Sequence, residues 1–198
     1  MTPEEIRVRY NELSETYEGT YLSGDPNTNH YLFDDWMAAR WFKDSRMTFD
    51  HAVVLGCGSG NDIITLGYPL PEKYTGYDFS AGMLANANEK FPSYSFHEWN
   101  CLDMTGDKGD LLVSAFGVPN YIGAAKLIQH YNDVQANKAF FIFYENHYDD
   151  VAPISTQYDY TQDELVEYFG QFKANVHKLW IKSPTSMAEY NVVWWDES

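Results

Sequence analysis

Three glycines at alternate positions directly follow a short apolar segment. The segment is Ala52–Leu55, and the glycines are Gly56, Gly58 and Gly60. A strand that passes through a glycine turn into a helix lets a ligand approach bare backbone N–H groups. The G-x-G-x-G spacing differs from the G-x-G-x-x-G turn that wraps the pyrophosphate of nicotinamide and flavin dinucleotides. The loop therefore indicates a ligand without a pyrophosphate.

Two aspartates follow the next two predicted strands. Asp78 ends the predicted strand Tyr74–Asp78, and Asp103 lies just beyond the predicted strand at 93–99. A carboxylate at the first position can accept hydrogen bonds from both hydroxyls of a ribose. One at the second position can accept a hydrogen bond from an exocyclic amine. We expect the glycine loop and both acids to face one ligand.

Strands and helices alternate through the middle of the chain, and a hairpin follows them. We predict five strands joined by helices and then two adjacent strands, at 52–55, 74–78, 93–99, 110–115, 139–144, 174–181 and 190–195. This order predicts an α/β fold. We expect a Rossmann-like doubly wound seven-stranded sheet, mostly parallel with an antiparallel C-terminal hairpin.

The segment before the first strand is predicted to be helical. A polar loop at 19–29 separates a helix near the start of the chain from a second one at about 31–45. We expect both helices to lie across the carboxyl edge of the sheet as a cover. Residues 1–198 are predicted to form a single domain, with the N-terminal helical cover or lid at 1–48 and the Rossmann-like core at 49–198.

Composition restricts the class of function. The 198 residues carry 13 basic and 29 acidic side chains, a formal net charge of −16, which disfavours a broad nucleic-acid or anionic-membrane binder. The two cysteines form neither a metal-type pair nor a disulfide framework. We see no signal peptide and no apolar run of membrane-spanning length, so we expect a cytoplasmic protein with no membrane partner.

Four segments together resemble the class I S-adenosylmethionine-dependent methyltransferases. They are Val53-Val54-Leu55-Gly56-Cys57-Gly58-Ser59-Gly60, Tyr77-Asp78-Phe79-Ser80-Ala81-Gly82-Met83-Leu84, Asn100-Cys101-Leu102-Asp103-Met104 and the run from Asp110 to Ile122. The resemblance covers about residues 50–195. It implies S-adenosylmethionine as cofactor and S-adenosylhomocysteine as product.

The resemblance also assigns cofactor contacts. Gly56, Gly58 and Gly60 pass beneath the methionine and ribose, Asp78 holds the ribose, and Asp103 holds the adenine amine. The Met104 backbone lies near the adenine ring, and Phe116 with Gly117 borders the sulfonium. The other residues expected at the cofactor are Cys57, Phe79, Met83, Cys101, Leu102 and Tyr10.

One position departs from the family pattern. The family usually has Asp or Glu two positions before the first glycine, where this chain has Val54. That acid helps to orient the methionine ammonium, and Asp62 could supply a nearby carboxylate, although an acid in a first helical turn also complements the helix dipole. Val54 leaves a second class of function open, a non-catalytic binding module of this fold that acts through a protein partner. A nicotinamide oxidoreductase is a third, opposed by the glycine spacing.

The resemblance implies in-line methyl transfer to an N or O nucleophile of a small molecule. A base is needed only for a nucleophile that is protonated at the working pH, and its candidates are His147 and Tyr17. Residues expected to contact the substrate are Tyr21, Tyr31, Asn120, Tyr121 and Glu145. No metal is expected, and the sequence leaves the oligomeric state open.

Overall fold

The computed structural model describes residues 2–23, 30–103, 106–145, 158–182 and 187–198. Within these ranges it describes all side chains except those at 3, 18–23, 30–33, 180–182 and 187–188.

A seven-stranded mixed sheet forms the centre of the molecule. Its strands are β1 (Ala52–Leu55), β2 (Tyr74–Asp78), β3 (Ser95–Glu98), β4 (Leu111–Ala115), β5 (Lys138–Glu145), β6 (Asn175–Lys182) and β7 (Met187–Asp196). Their order is β3-β2-β1-β4-β5-β7-β6. The first five strands are parallel, whereas β7 pairs antiparallel with both β5 and β6. The predicted fold class is confirmed.

The strand order creates a crevice between two neighbouring strands. After β1, the chain adds β2 and β3 on one side of it and then β4 and β5 on its other side. The connections therefore diverge between β1 and β4. Ligands of open α/β sheets bind in such a crevice, outside the carboxyl ends of the strands. The glycine loop after β1 and the Phe116–Gly117 pair after β4 both lie at that point.

Helices cover both faces of the sheet. They are α1 (Pro3–Ser23), α2 (His30–Ser45), α3 (Asp62–Thr65), α4 (Ala81–Lys90), α5 (Val118–Val134) and α6 (Gln162–Phe169). Residues of α2, α3 and α4 join one apolar cluster against the sheet, and residues of α5 and α6 join a second one. Among the described helices, none is long and apolar enough to cross a membrane.

Two helix boundaries differ from the sequence prediction. The loop predicted from residue 19 is wrong at its start, since α1 continues through Ser23. One glycine in a helix costs only about 1 kcal/mol, which the flanking helical turns outweigh. The sequence also predicts that the helix after β4 begins at about Gly123, but α5 begins at Val118. Gly123 instead interrupts it with φ 80° and ψ 163°, and the Ala124 N–H beyond the break donates to the Tyr160 hydroxyl at 3.0 Å.

The first helix is fastened to the start of α4. The Asn11 Oδ1 accepts hydrogen bonds from the Ser80 hydroxyl at 2.8 Å and from the Gly82 N–H at 3.2 Å. The Asn86 side-chain amide donates to the Ser14 carbonyl at 2.9 Å. These contacts bring α1 to the carboxyl edge of the sheet, above the loop that follows β2.

Candidate active site at the carboxyl edge of the sheet

The glycine loop leaves β1 and folds back over β2. The N–H groups of Gly56 and Cys57 both donate to the Tyr77 carbonyl, at 2.7 and 3.0 Å, and the Gly60 N–H donates to the Cys57 carbonyl at 2.8 Å. Gly58 has a φ of +50°, and a Cβ placed on it would meet no atom within 4 Å. A side chain there would occupy open space directly above the loop. The loop therefore presents bare backbone to whatever lies over it.

Asp78 joins the glycine loop to the start of α4. Its Oδ2 accepts from the Gly58 N–H and its Oδ1 from the Ser80 N–H, both at 2.9 Å. Burial raises the pKa of this carboxyl, and the N–H donors, those of Ser80 and Gly58 foremost, oppose the rise. An ionised carboxylate offers about four lone-pair positions. Both oxygens thus retain acceptor capacity for a pair of adjacent hydroxyls.

A groove of about 490 Å³ opens beside Asp78. It lies at the carboxyl ends of β2 and β3 and is lined by Glu4, Arg7, Phe79, Glu98, Trp99 and Asn100. A turn begins at Asn100, where the Leu102 N–H donates to the Asn100 side-chain oxygen at 3.0 Å and the Asp103 N–H to the Asn100 carbonyl at 2.9 Å. Leu102 and Asp103 are exposed on this turn. The groove can accommodate a planar ring bearing an amine.

The residues after β4 face the first helix. Phe116 has a φ of +53°, a left-handed conformation that costs about 1–3 kcal/mol for a non-glycine residue and is concentrated at ligand sites. The Tyr10 hydroxyl lies 3.6 Å from the position of a Cβ on Gly117, beside the Tyr121 ring. The Tyr10 and Phe79 rings are 6.3 Å apart. Tyr10 therefore bridges the carboxyl ends of β2 and β4.

Comparison with known proteins decides the fold. No protein-family model matches the chain. The solved magnesium protoporphyrin IX methyltransferase from Synechocystis PCC 6803 with bound SAM matches with a TM-score of 0.64 at 16% identity, over 98% of this chain and 97% of that chain. A TehB-like SAM-dependent methyltransferase from Corynebacterium glutamicum matches with a TM-score of 0.60 at 13% identity, over 96% and 99%. The chain has the class I methyltransferase fold.

A curated protein matches part of the sequence. Trans-aconitate 2-methyltransferase from Rhodopseudomonas palustris (strain BisA53) is 36% identical over 93 residues, which are 44% of this chain. The match spans 35% of that relative's length, about a third. It adds a named methyltransferase to the structural likeness.

The two cysteines near the glycine loop are unsuited to nucleophilic chemistry. Burial raises the pKa of the Cys57 thiol well above its usual range and that of Cys101 to about 11. Only the thiolate is a strong nucleophile, so both side chains act as apolar groups. Met83, also expected at the cofactor, is 1% exposed inside α4, and its N–H donates to the Ser80 cap at 3.2 Å. The structure places it behind the loop it supports.

Two predicted substrate residues are engaged within the protein. The Asn120 side chain donates to the carbonyls of Tyr144 and Tyr158, both at 2.9 Å, and accepts from the Tyr144 N–H at 2.8 Å. Glu145 is buried, pairs with Lys178 at 2.7 Å and accepts from the Asn191 amide at 2.6 Å. These hydrogen bonds hold both side chains against neighbouring segments of the protein. Their contact with a substrate stays a prediction.

Five further predictions, on the cofactor and acceptor sides, divide by where they fall. Tyr17 lies on α1 near Tyr10 and Tyr144, whose pKa values are raised chiefly by burial and to a smaller extent by Tyr17. Met104 and His147 lie outside the described residues, and Tyr21 and Tyr31 lie on α1 and α2 among the side chains outside the description. These five assignments stay predictions. Within the described part of the chain, no three His, Cys, Asp or Glu side chains come together as metal ligands.

The departure at Val54 has a structural counterpart. Val54 is 2% exposed in the apolar cluster beneath the glycine loop. Both Asp62 carboxylate oxygens are buried without a hydrogen-bond partner among the described groups, near the Tyr74 hydroxyl. Burial raises the pKa of Asp62 to about 7. A carboxylate is thus present below the loop, contributed by α3 rather than by β1.

Sequence reasoning missed one acid near the carboxyl edge. Asp34 of α2 is 4% exposed and accepts a hydrogen bond from the Tyr190 hydroxyl at 2.6 Å. Burial raises the pKa of Asp34 to about 8, and the negative charge of Asp35 adds to the rise. The available signal was its position, because Asp34 begins the i, i+3, i+4 stripe that continues with Met37 and Ala38.

Proposed function

We propose that this chain is an S-adenosylmethionine-dependent methyltransferase that moves a methyl group to an N or O nucleophile of a small molecule. The observation that carries the proposal is Asp78, a half-buried carboxylate at the end of β2 that accepts from the Gly58 and Ser80 N–H groups, one strand from the β1/β4 crevice. It has the acceptor capacity for both ribose hydroxyls. The matched methyltransferases supply the chemical class.

The described residues fit the cofactor in three parts. Asp78 would hold the ribose over the open backbone at Gly58, and the groove beside Phe79 would take the adenine, with the exposed Asp103 carboxylate available to its amine. Phe116 and Tyr10 would border the sulfonium. When bound, S-adenosylmethionine would supply a methyl group to an attacking nucleophile, with the neutral thioether S-adenosylhomocysteine as the leaving group.

The protein's own contribution is alignment and exclusion of water. Asp78 and the glycine loop fix the position of the ribose, and the strained backbone at Phe116 sets the wall beside the reacting centre. Tyr10, buried between Phe79 and Tyr121, closes the site from the side of α1. Holding two reactants in line accounts for much of the rate of such a displacement.

A small-molecule acceptor is supported by the relatives. The matched proteins are named for trans-aconitate and for magnesium protoporphyrin IX. The net charge of −16 opposes a nucleic-acid substrate. We also propose that the helical cover at 1–48 and the core at 49–198 act as one unit, since Tyr10 reaches the loop after β4.

Calorimetric titration with S-adenosylmethionine, S-adenosylhomocysteine and NAD tests the proposed cofactor. We expect the two adenosyl compounds to bind and NAD to fail. Asp78→Asn should weaken S-adenosylhomocysteine binding by about tenfold or more, because an amide replaces one acceptor oxygen and its charge. Asp44→Asn, an exposed change on α2, is the matched control and should bind normally.

The variant outcomes separate the assignments. Unchanged affinity in a folded Asp78→Asn protein would refute the ribose contact. Asp103→Ala tests the adenine contact independently, because Asp103 is exposed and its loss leaves the fold intact. If the adenosyl compounds bind but no methylated product forms from a panel of amines, phenols and carboxylates, the chain is a binding module and the catalytic proposal is wrong.

A further inference from the structure

The face that α2 turns to the sheet carries a carboxylate among apolar side chains. Asp34, Met37, Ala38 and Phe42 are all buried on this stripe. The Tyr190 hydroxyl donates to the Asp34 Oδ1 at 2.6 Å, and no group in the described ranges donates to its Oδ2. A carboxylate in such a position needs a reason, because burial of an unpaired charge costs several kcal/mol.

Three aromatic rings stand around this carboxylate. Tyr144 of β5 and Tyr190 of β7 are directly paired across the two strands, with ring centroids 5.2 Å apart. The Phe116 ring lies 5.8 Å from each of them. Phe116 and Tyr144 are partly exposed, so the ring cluster has an open side. Phe116 directly precedes Gly117 in the chain, next to the proposed position of the sulfonium.

Three other acids at the sheet, Glu145, Glu189 and Asp110, have cations beside them. Glu145 and Glu189 share Lys178 at 2.7 and 2.8 Å, and Asp110 pairs with Lys138 at 3.2 Å. Among the described side chains, no such ion pair reaches Asp34. Its charged neighbour is instead Asp35, which makes ionisation harder and raises its pKa. Asp34 therefore lacks a cation from the described side chains, and its place beside an aromatic cluster distinguishes it from Asp62, which also lacks a hydrogen-bonded cation.

We propose that Asp34, with the rings of Phe116, Tyr144 and Tyr190, forms the acceptor subsite and that the acceptor is a cationic amine. This inference rests on the proposed methyltransferase function and names its substrate class. Aromatic faces attract a cation within about 6 Å of their centroids, and the Asp34 Oδ2 supplies the countercharge. An anionic acceptor would meet an uncompensated acid.

The subsite also provides an acceptor, Asp34, for the proton that the bound ammonium must lose before it is methylated. With its pKa raised to about 8, Asp34 is mostly protonated in the free protein at neutral pH, and a bound ammonium favours its ionised form, so its proton leaves to solvent as R–NH3⁺ binds. The acceptor then gives one proton to the Asp34 carboxylate and becomes a neutral amine. The nitrogen lone pair then forms the N–CH3 bond while the S–CH3 bond breaks, and the electron pair of that bond stays on sulfur. The products are a methylated ammonium and a neutral thioether, so charge and atoms balance.

Calorimetry on the protein saturated with S-adenosylhomocysteine tests the subsite. The probes are phenethylamine and phenethyl alcohol, which have the same ring and chain length but differ in charge, and the anion trans-aconitate. We expect the amine to bind about tenfold or more tightly than the alcohol, and trans-aconitate not to bind. Alcohol binding as tight as the amine, or binding of trans-aconitate alone, would overturn the proposal without needing any variant. So would the absence of binding by all three.

Two variants localise the preference. Asp34→Asn retains an oxygen that accepts from Tyr190 and should lower the amine affinity about tenfold while leaving the alcohol unaffected. Asp44→Asn removes the same charge from the exposed side of α2 and should preserve the preference. A folded Asp34→Asn protein that still prefers the amine refutes the assignment. S-adenosylhomocysteine binding, measured first, separates the two failures, because its absence in the wild type overturns the cofactor proposal as well.

Discussion

At the scale of single residues, three aspartates differ in what surrounds them. Asp78 receives backbone N–H groups from two elements, Asp34 receives a tyrosine hydroxyl, and Asp62 receives no hydrogen bond from any described group. Burial raises the pKa of all three carboxyls. Donors to a carboxylate oppose that rise, which is why the carboxyl with the backbone donors is the best suited to remain ionised.

Stability should depend on pH through Asp34. Its pKa is about 8 in the folded protein, against about 3.9 in an unfolded chain. Between these two pH values the unfolded chain has lost the Asp34 proton and the folded protein still holds it. The stabilisation that this proton provides is therefore full below about pH 4 and is lost as the pH rises to about 8. Asp34→Asn cannot ionise, and its stability relative to the wild type should therefore increase with pH. Urea unfolding at several pH values should show a rise on the order of 1–3 kcal/mol.

The Asp44→Asn variant is the control for the pH dependence of Asp34→Asn stability. Asp44→Asn on the same helix carries the same chemical change at an exposed position, and its stability difference from the wild type should stay nearly constant with pH. A flat difference for Asp34→Asn as well would mean that Asp34 is ionised in the folded protein. It would then remain an acceptor for Tyr190, with no titration to detect.

Residue-level prediction from sequence succeeded where spacing is local. The glycines and Asp78 follow strands at fixed offsets, and the structure brings Gly58 and Asp78 into a 2.9 Å hydrogen bond. Asp34 and Tyr190 are 156 positions apart, and no local pattern relates them. Asn120 and Glu145 follow or end strands as ligand residues do, but their internal partners come from distant segments that the sequence does not align.

At the scale of elements, the packing of α1 on α4 depends on the absence of a side chain. A Cβ on Gly82 would collide with the Ser14 hydroxyl and lie 3.0 Å from the Ser14 Cβ and 3.3 Å from the Asn11 carbonyl oxygen. Gly82→Ala should therefore push α1 away from α4 even though alanine favours helix formation. Hydrogen exchange of the α1 amides should accelerate about tenfold or more, while the strands stay protected.

A second glycine provides the matched substitution. Gly170 follows α6, and a Cβ there would meet nothing within 4 Å. Gly170→Ala should leave exchange in α1 unchanged. Equal exchange in both variants would show that α1 tolerates the added methyl by a small shift.

The strands could be predicted from the sequence, but some helix boundaries could not. The strands were predicted because apolar runs bounded by glycine and polar residues have one sensible interpretation in an α/β chain. The start of α5 was missed because Gly123 is a break inside a helix rather than its beginning. That break is stabilised by Tyr160, a residue remote in sequence.

At the scale of the whole molecule, the net charge of −16 opposes compactness. Like charges on a folded surface repel one another, and salt screens them over a Debye length of about 10 Å at 0.1 M. Added sodium chloride should therefore raise the thermal unfolding midpoint at neutral pH by a few degrees. Repeating the titration near pH 4.5, the isoelectric point of the sequence, should abolish the increase. A similar rise at both pH values would assign it to an effect of salt other than screening.

The position of β7 between β5 and β6 has a consequence for how the protein is made. During synthesis β6 emerges before β7, its neighbour in the finished sheet, while β5 waits with an open edge. Open edges pair with whatever strand is nearby, so β6 can occupy the place of β7 for a time. β7 must then displace β6 from the edge of β5 and insert between these two strands. A nascent chain paused after β6 is consequently the form of this protein with the greatest need of a chaperone.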